Sequence, residues 1–365
     1  MKNIKMPLKL ISNRVARTYI GGKLIDEFKE KIDPKDSNKP EEWIGSLVEA
    51  RNIEKSSPNE GLSYIQLGSK KVLLKELITS NPAFYLGEKH LEKYGQDTAV
   101  LVKILDSAER LTIQVHPDKK DAKTYFNSNF GKTEAWYILG GRKINGESPY
   151  VLLGFKPGMN KAKWRELFRK QDIEGMINSL HKFYVEPGDV FLVEGGIPHA
   201  IGPGCFLMEI QEPTDYTIRV EKTTPSGQTI ADDFCHQGIG FDNMFECFNY
   251  QGFTREQVGN KWKIDININK KNIEKNIGFK EINLMDTPYF KMKLYKVLNK
   301  YKFKNCEQIF SIFTVKSGKG KAFWQGGELF LKRGDSFFLP AGIEEIKLEA
   351  QEGESFSLLR FCPPN

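Results

Sequence analysis

Cysteine and histidine are both scarce in this sequence, and the cysteines form no compact motif. Among 365 residues there are five of each, and no two cysteines stand at CxxC spacing: Cys205, Cys235, Cys247, Cys306 and Cys362. An odd, dispersed set indicates reduced thiols and excludes a disulfide framework, which predicts a cytoplasmic protein. No apolar run approaches the roughly 20 residues that cross a bilayer. Residues 1–17 are basic but lack the apolar core and cleavage site of a signal peptide, so we expect no membrane association.

The positive charge is modest and lacks the motifs that accompany nucleic-acid binding. The formal net charge is +7, and much of the excess lies in a Lys-, Asn- and Ile-rich band over residues 261–304. We interpret this band as a solvated face and expect no nucleic-acid partner, because no recognised binding motif occurs with it. A basic surface would also help to steer an anionic small substrate.

The length of the chain and an internal repeat predict two structural units. A chain of 365 residues exceeds one typical core. The pattern Gly-Asp-x-Phe-x followed by Gly-Ile occurs at residues 188–197 and again at 334–343. In register, Glu345 stands where the first copy has His199, so the second copy keeps the turn and lacks the imidazole. Residues 261–280 are the predicted linker.

Two short strand-like runs carry a polar face. Residues i and i+2 of a strand point to the same side, so Thr112, Gln114 and His116 share one face of the first run. In the second run Lys132 and Glu134 share a face with a tryptophan. Such strands predict a wet cavity inside a β-structure that is able to bind a metal.

A third run supplies the distant ligand for that cavity. His199 follows a Gly-Gly turn and opens a strand. Together with His116 and Glu134 it forms a set of two imidazoles and one carboxylate, which suits zinc with one position left open. The carbonyl oxygen of Gln114 is a fourth candidate. The same donor set also suits the iron of a non-haem oxygenase, and spacing alone does not separate the two.

Charged residues in three further strands point to proton transfer near an anion. Glu209 lies in one strand, and Asp215 and Arg219 share a face of the next. An acid, a second acid and a guanidinium beside a metal suit proton transfer on an anionic or carbonyl substrate. A structural salt bridge between Asp215 and Arg219 is the alternative. Lys103 sits inside an apolar strand, where it must either extend to solvent or meet an anion.

Helical patterns are confined to short stretches. Residues 160–182 predict two short helices, with His181 at the helix C-terminus. Residues 81–95 also predict helix, with His90 on its surface. We assign neither histidine a function.

Four of these motifs, taken in order, resemble one enzyme family. They are similar to motifs of the type I mannose-6-phosphate isomerases, especially the short bacterial form, and the likeness extends from about Arg17 to Val220. The motifs are Gln114-Val115-His116-Pro117, Gly131-Lys132-Thr133-Glu134-Ala135-Trp136-Tyr137, Pro198-His199-Ala200-Ile201-Gly202 and the stretch from Glu209 to Arg219. The C-terminal third matches only loosely, as a second cupin-like sandwich.

The resemblance implies a mainly β, cupin-type fold with one zinc ion per chain. It implies a catalytic cupin domain over residues 1–270, with a small helical insert at about 160–182, and a metal-free cupin-like domain over 271–365. The implied metal ligands are the residues at the motif positions: Gln114, His116, Glu134 and His199. Short members of the family differ in whether the glutamine at the position of Gln114 coordinates the metal.

The resemblance also implies a reaction and its residues. The family interconverts mannose 6-phosphate and fructose 6-phosphate through a cis-enediolate, and Arg219 matches its assigned active-site arginine. Thr112, Lys103 and Lys132 match positions that face the substrate and its phosphate. The residue that carries the proton stays open, and the candidates are Asp215, Glu209 and Lys132.

The chain departs from longer members in ways that leave some features open. Thr133 stands where longer members commonly have proline, and the insert at 160–182 is much smaller than their helical domain, so substrate enclosure is undetermined. A sugar phosphate is the expected small-molecule partner, and the protein is expected to be a monomer or a dimer. A non-catalytic sugar-phosphate sensor is a further alternative. The sequence does not decide between mannose catabolism and biosynthesis.

Overall fold

The computed structural model describes residues 4–52, 58–266 and 279–364. Its strands form two β-sandwiches, which confirms the predicted mainly β architecture. The strands are β1 (Leu8–Lys9), β2 (Arg14–Val15), β3 (Glu41–Ile44), β4 (Tyr64–Leu67), β5 (Lys70–Leu73), β6 (Leu101–Asp106), β7 (Gln114–Val115), β8 (Glu134–Gly141), β9 (Tyr150–Phe155), β10 (Leu180–Tyr184), β11 (Val190–Val193), β12 (His199–Ile201), β13 (Cys205–Gln211), β14 (Ile218–Arg219), β15 (Phe279–Asp286), β16 (Lys291–Val297), β17 (Lys300–Lys304), β18 (Ser311–Ser317), β19 (Lys319–Trp324), β20 (Gly327–Lys332), β21 (Ser336–Leu339), β22 (Glu345–Ala350) and β23 (Phe356–Cys362).

The helices are short and lie around the sandwiches. They are α1 (Lys23–Phe28), α2 (Leu74–Ser80), α3 (Pro82–Leu86), α4 (Glu88–Tyr94), α5 (Lys119–Phe126), α6 (Lys161–Lys170), α7 (Ile173–Asn178), α8 (Asp232–His236), α9 (Gly240–Met244), a 3₁₀ turn (Phe245–Cys247) and α10 (Arg255–Trp262). The predicted pair of helices in the insert is confirmed as α6 and α7. Asn160 and Asp172 cap them by accepting backbone N–H bonds.

The first sandwich consists of a five-stranded and a six-stranded sheet. Their strand orders are β10-β9-β12-β7-β14 and β11-β8-β13-β6-β3-β2. Apolar side chains from both sheets meet between them, among them Leu105, Trp136, Val151, Leu153 and Leu207. Helices α6, α7 and α9 cover the outer face of the five-stranded sheet, where their side chains pack on a second apolar cluster.

Strand alternation sorts polar and apolar residues to opposite faces of these sheets. Ile113 and Val115 point outward to the cluster beneath the helices, whereas Gln114 between them lines a pocket inside the sandwich. Lys103 likewise lines that pocket, and Leu105 on the same face joins the apolar core. The interior of the first sandwich is therefore apolar at one end and polar at the other.

The second sandwich contains the C-terminal strands and one strand from the beginning of the chain. Its sheets are β1-β21-β18-β23-β16-β15 and β17-β22-β19-β20. Strand β1 pairs with β21 through Leu8 and Phe338. The boundary predicted at residue 270 lies outside the described residues. The predicted domain of residues 1–270 therefore includes a strand, β1, that belongs to the six-stranded sheet of the second sandwich.

The six-stranded sheets of the two sandwiches pack back to back. One apolar cluster joins Val102, Ile104 and Met208 from the first sheet to residues such as Ile312 and Leu359 from the second. Burial of such a surface is the main stabilising contribution to the contact between the two halves.

The internal repeat has matching turns in the two sandwiches. Gly188 and Gly334 both adopt positive φ, 99° and 84°, which glycine tolerates without steric cost. In the first turn Asp189 Oδ2 accepts from the Glu186 N–H at 3.0 Å, and in the second Asp335 Oδ2 accepts from the Lys332 N–H at the same distance. The turns are therefore equivalent in geometry.

Glu345 begins β22 just as His199 begins β12, as the repeat predicted. Its carboxylate forms a half-exposed ion pair with Lys302 at 2.8 Å. The second sandwich thus has an ordinary surface ion pair at the position where the first carries a buried imidazole.

The predictions for two histidines are wrong. His181 belongs to strand β10, where its Nε2 lies 2.8 Å from the Phe253 carbonyl oxygen, so it does not end a helix. His90 lies on α4 but is buried, with Nε2 2.7 Å from the Asp97 carbonyl oxygen. Both rings pack in the interior and bond the backbone.

The five cysteines are all unpaired, as the sequence predicted. None of the helices in the described ranges combines the length and the apolar character that crossing a bilayer requires.

Candidate active site and metal centre

The three strongest candidate ligands converge at the polar end of the first sandwich. His116 follows β7, Glu134 begins β8 and His199 begins β12, and all three are buried. His116 Nε2 lies 3.1 Å from Glu134 Oε2, and His199 Nε2 lies 3.4 Å from Glu134 Oε1. Their candidate donor atoms all fall within 4.8 Å of one another. The amide of Gln114 adjoins them, 3.2 Å from His199 Nε2.

Backbone carbonyls fix both imidazoles in the form that binds metal. His116 Nδ1 lies 2.9 Å from the Tyr216 oxygen, and His199 Nδ1 lies 2.9 Å from the Ile197 oxygen. A carbonyl only accepts, so each Nδ1 carries the hydrogen and each Nε2 presents its lone pair to the centre. Burial and the neighbouring lysine lower the pKa of His116 to about 3, which keeps that ring neutral.

The carboxylate of Glu134 is ionised and oriented. Trp136 Nε1 donates to its Oε1 at 3.1 Å, and Lys132 Nζ lies 2.6 Å from Oε2. Burial alone would raise the pKa of Glu134, but the positive charge of Lys132 holds it well below its usual range. Two neutral imidazoles, a carboxylate and an amide thus fit a divalent metal such as zinc.

The ammonium group of Lys132 lies among these donors. Its Nζ is 2.7 Å from His116 Nε2 as well as 2.6 Å from Glu134. A positive charge therefore already sits against the donor atoms, which is consistent with a centre arranged around a cation.

A pocket opens beside the triad and brings the predicted site residues together. It is lined by all of the predicted substrate and catalytic residues and by one candidate ligand: Lys103, Thr112, Gln114, Lys132, Glu209, Asp215 and Arg219. These residues come from β6, β7, β13 and β14 and from the loops that precede β7, β8 and β14. Strand alternation therefore directs the four strand residues to the inner faces of the two sheets. Thr112, Lys132 and Asp215 reach the same pocket from loops.

Lys103 meets anions within its apolar strand. Its Nζ lies 3.2 Å from Glu209 Oε1 and 3.8 Å from Glu41 Oε2. Burial alone would lower the pKa of Lys103, but these two carboxylates outweigh it and raise the pKa, so the ammonium stays charged.

Glu209 is the least constrained carboxylate of the pocket. Its Oε1 is close to Lys103 but is not aligned for a hydrogen bond, and that oxygen has no hydrogen-bond partner in the described structure. Burial raises the pKa of Glu209, although Lys103 acts against it. A carboxyl with a raised pKa and an unsatisfied oxygen is able to exchange a proton.

Asp215 is paired, but not with Arg219. Arg17 binds its two oxygens with Nη distances of 2.8 and 3.0 Å, and the Arg51 N–H donates to it at 2.8 Å. The alternative salt bridge between Asp215 and Arg219 therefore does not form. Burial would raise the pKa of Asp215, but Arg17 and Lys103 hold it well below its usual range.

Arg219 is held by backbone oxygens and takes part in no ion pair within the described residues. Its Nη1 donates to the carbonyls of Thr217 at 3.0 Å and Phe234 at 3.1 Å. Burial and the nearby Arg17 lower its pKa to about 10, so it remains charged at neutral pH. The guanidinium is consequently available to an anionic ligand in the pocket.

Four pocket residues with ionisable side chains were not predicted as site residues from the sequence: Arg17, Tyr19, Glu41 and Arg110. Glu41 could have been found, because it stands two residues before Trp43 in a strand and shares its face. A carboxylate on the face of a buried tryptophan needs a partner. Arg17 offered no local signal, because its partner Asp215 is 198 residues away.

Two family models match the chain. The one described as the phosphomannose isomerase type I catalytic domain matches residues 20–135, and the one described as the mannose-6-phosphate isomerase cupin domain matches residues 280–356. A curated relative, the probable mannose-6-phosphate isomerase GmuF of Bacillus subtilis, is 27% identical over 260 residues, which are 70% of this chain and 73% of that protein.

Solved structures extend the similarity to nearly the whole fold. The crystal structure of the mannose 6-phosphate isomerase from Bacillus subtilis has a TM-score of 0.74 at 21% identity and covers 98% of this chain and 99% of its own. A zinc-bound structure of a mannose 6-phosphate isomerase has a TM-score of 0.72 at 16% identity, with 98% and 100% covered. The predicted pair of cupin-type sandwiches is thereby confirmed.

Proposed function

Because this chain belongs to the type I mannose-6-phosphate isomerases, we propose that it interconverts mannose 6-phosphate and fructose 6-phosphate. The observation that carries the proposal is the convergence of a buried two-histidine, one-carboxylate centre with a pocket rich in cations. Five basic and three acidic residues line that pocket: Arg17, Lys103, Arg110, Lys132, Arg219, Glu41, Glu209 and Asp215. The surplus of positive charge suits a phosphate dianion.

We propose that the chain binds one zinc ion through His116, Glu134, His199 and the amide oxygen of Gln114. Oxygen and nitrogen of an amide are interchanged by a simple flip, so the side chain that now places Nε2 near His199 can present Oε1 instead. Bound there, zinc would act as a Lewis acid toward a sugar oxygen and help to orient the open chain. Metal analysis of the purified protein tests the one-to-one stoichiometry.

The two ends of the substrate are assigned to different residues. Thr112 and Lys103 would bind the remote phosphate, whose binding energy fixes the reacting end. Lys132 lies against His116 and Glu134, so we assign it to the reacting carbons and not to the phosphate. Arg219 has no carboxylate partner in the described part of the chain and would stabilise the enediolate oxygen.

We propose Glu209 as the residue that carries the proton. In the aldose-to-ketose direction a proton leaves C2 and is returned to C1, while the hydroxyl proton of O2 passes to O1. Asp215 is poorly suited, because Arg17 occupies both of its oxygens. Glu209 combines a raised pKa with an unsatisfied oxygen, which suits it to exchange a proton with the substrate.

A coupled assay that follows fructose 6-phosphate formation tests the proposal. Wild-type protein is expected to turn over mannose 6-phosphate, and Arg219→Ala is expected to keep its metal and lose turnover. Absence of wild-type turnover, with the sugar phosphate still bound, would instead support a non-catalytic sensor. Oxygen consumption with iron-loaded protein would support an oxygenase. Full activity of metal-free Arg219→Ala protein would contradict the assignment.

Three further features stay predictions. A cytoplasmic location is supported by the unpaired cysteines, and a sugar phosphate is the proposed small-molecule partner. The monomeric or dimeric state is tested by light scattering, and either result is compatible with a pocket built from one chain.

A further inference from the structure

Two arginine–carboxylate pairs flank the segment that carries Arg219. Arg17 binds both oxygens of Asp215 at 2.8 and 3.0 Å. Arg110 binds both oxygens of Glu221 at 2.6 and 2.8 Å. Each guanidinium comes from a different part of the chain, and each carboxylate is buried. Bidentate pairs of this kind restrict orientation as well as distance.

We call these two arginine–carboxylate pairs the Arg17 clamp and the Arg110 clamp. The segment between them has little regular secondary structure. Strand β14 comprises only Ile218 and Arg219, and it pairs with Val115 and Gln114 at the edge of the five-stranded sheet. Two residue pairs at an edge strand give a weak hold on the backbone. Contacts outside the sheet are therefore needed to fix the direction of the Arg219 side chain.

The same segment also orients a candidate metal ligand. The carbonyl of Tyr216, directly after Asp215, accepts from His116 Nδ1 at 2.9 Å. A shift of the backbone at residue 215 would thus move the oxygen that fixes the ring of His116. At the other end, Glu221 Oε1 also accepts from the Ile113 N–H at 2.6 Å, which ties the segment to the residues before β7.

We propose that Arg17 and Arg110 are positioning residues that set the metal centre and Arg219 by clamping residues 215–221. The Arg17 clamp acts on both the metal centre and Arg219, because Asp215 is next to Tyr216, whose carbonyl oxygen accepts from His116. The Arg110 clamp acts mainly on Arg219, because Glu221 is two residues from Arg219 and five from Tyr216. This inference deepens the proposed isomerase function, and it gives Asp215 a structural role in place of the proton-carrying role that the sequence left open.

The test uses Arg17→Met, Arg17→Lys and Arg110→Met in the full-length protein. Zinc affinity is measured by competition with a chromophoric chelator, and kcat and KM by the coupled assay. Arg17→Met is expected to weaken zinc binding by about 10- to 100-fold, the usual effect of losing a group that orients a ligand. Arg17→Lys, which keeps the charge and loses the bidentate geometry, is expected to fall between wild type and Arg17→Met.

Arg110→Met is expected to lower kcat by about tenfold or more while zinc affinity changes by less than about threefold. The matched control is Arg360→Met, because Arg360 is also buried, bonds Ser311 at 2.9 Å and lies over an aromatic ring, but belongs to the second sandwich. It is expected to lower the melting temperature and leave zinc affinity and kcat unchanged.

The proposal is overturned if folded Arg17→Met binds zinc and turns over substrate like wild type, or if Arg360→Met lowers zinc affinity equally. The zinc measurement needs no turnover. If wild-type protein had no isomerase activity but Arg17→Met still weakened zinc binding, the isomerase assignment would be refuted and the positioning role of Arg17 would be supported.

Discussion

Replacing Glu41 by glutamine is expected to destabilise the protein, because the Glu41 carboxylate lines the pocket and accepts hydrogen bonds from three other side chains. Glu41 Oε2 accepts from Arg17 Nε at 3.0 Å and from Trp43 Nε1 at 2.7 Å, and Oε1 accepts from the Tyr19 hydroxyl at 2.9 Å. Lys103 lies 3.8 Å away. The glutamine side chain has one accepting oxygen, and its NH2 group would face donors that the carboxylate now bonds. At least one of these buried donors therefore loses its hydrogen-bond partner.

The size of the effect follows from the pKa of the carboxylate. Burial alone would raise the pKa of Glu41, but Arg17 and Lys103 lower it from 4.5 to about 2. At about 1.4 kcal/mol per pH unit, this is about 3 kcal/mol of unfolding free energy. Breaking a buried ion pair costs a similar amount, about 3–5 kcal/mol.

The sign of the pH dependence is fixed by the lowered pKa. A carboxylate whose folded-state pKa is depressed contributes its full stabilisation above the unfolded-state pKa and loses it as pH falls toward the folded-state value. For Glu41 that window runs from 4.5 down to about 2. About 0.8 kcal/mol of this contribution is lost at pH 4, so the difference in unfolding free energy between wild type and Glu41→Gln decreases by that amount.

This difference in unfolding free energy is measured at pH 7 and pH 4 by urea unfolding, with tryptophan fluorescence as the signal. A chelator is present in all samples, because bound metal would add its own stabilisation. Glu307→Gln is the control, since Glu307 pairs with Lys291 and Arg360 but is 41% exposed, and it is expected to cost less than about 1 kcal/mol. A Glu41→Gln protein within about 0.5 kcal/mol of wild type at pH 7, or a gap that widens at pH 4, would refute the reasoning.

Three substitutions in the site separate the assigned roles. His199→Ala is expected to lose metal and turnover together, because only one imidazole of the triad remains; retained metal in an elemental analysis would remove His199 from the ligand set. Glu209→Gln is expected to keep its metal and lose about 10²- to 10⁴-fold in kcat. Undiminished exchange of the C2 proton with solvent, followed by NMR, would assign the proton to another group. Thr112→Val is expected to raise KM for the sugar phosphate, because a hydroxyl that binds phosphate is lost; an unchanged KM would place the phosphate elsewhere.

The inner face of the first sandwich was largely predictable from the sequence. Gln114 and His116 alternate with Ile113 and Val115, and a strand turns such an alternation directly into one wet and one dry face. The unusual position of Lys103 within an apolar strand predicted either extension to solvent or a nearby anion, and Glu209 is that anion. These predictions depended only on local periodicity and on the cost of burying charge.

The partner of Asp215 was not predictable in the same way. The shared face of Asp215 and Arg219 assumed a continuous strand, but only Ile218 and Arg219 are strand, so the period of two does not extend back to residue 215. The true partner, Arg17, lies 198 residues away. Which charges pair across such a distance is decided by sheet order and not by local pattern.

The histidines show the same limit on a smaller scale. The sequence predicts His181 at the end of two helices, yet the chain has already entered β10 there and pairs with β9. The sequence predicts His90 on the surface of a helix, but Phe310 of the second sandwich packs against its ring. Contacts between distant segments override the local pattern in both cases.

The pairing of β1 with β21 has a consequence for expression of the second sandwich by itself. Residues 279–365 made alone would leave the backbone groups of β21 without the partner that Leu8 and Lys9 provide. An open sheet edge of this kind recruits strands from other molecules. We expect that fragment to self-associate in size-exclusion chromatography. A synthetic peptide of residues 4–13, added in trans, is expected to restore its monomeric form by donor-strand complementation.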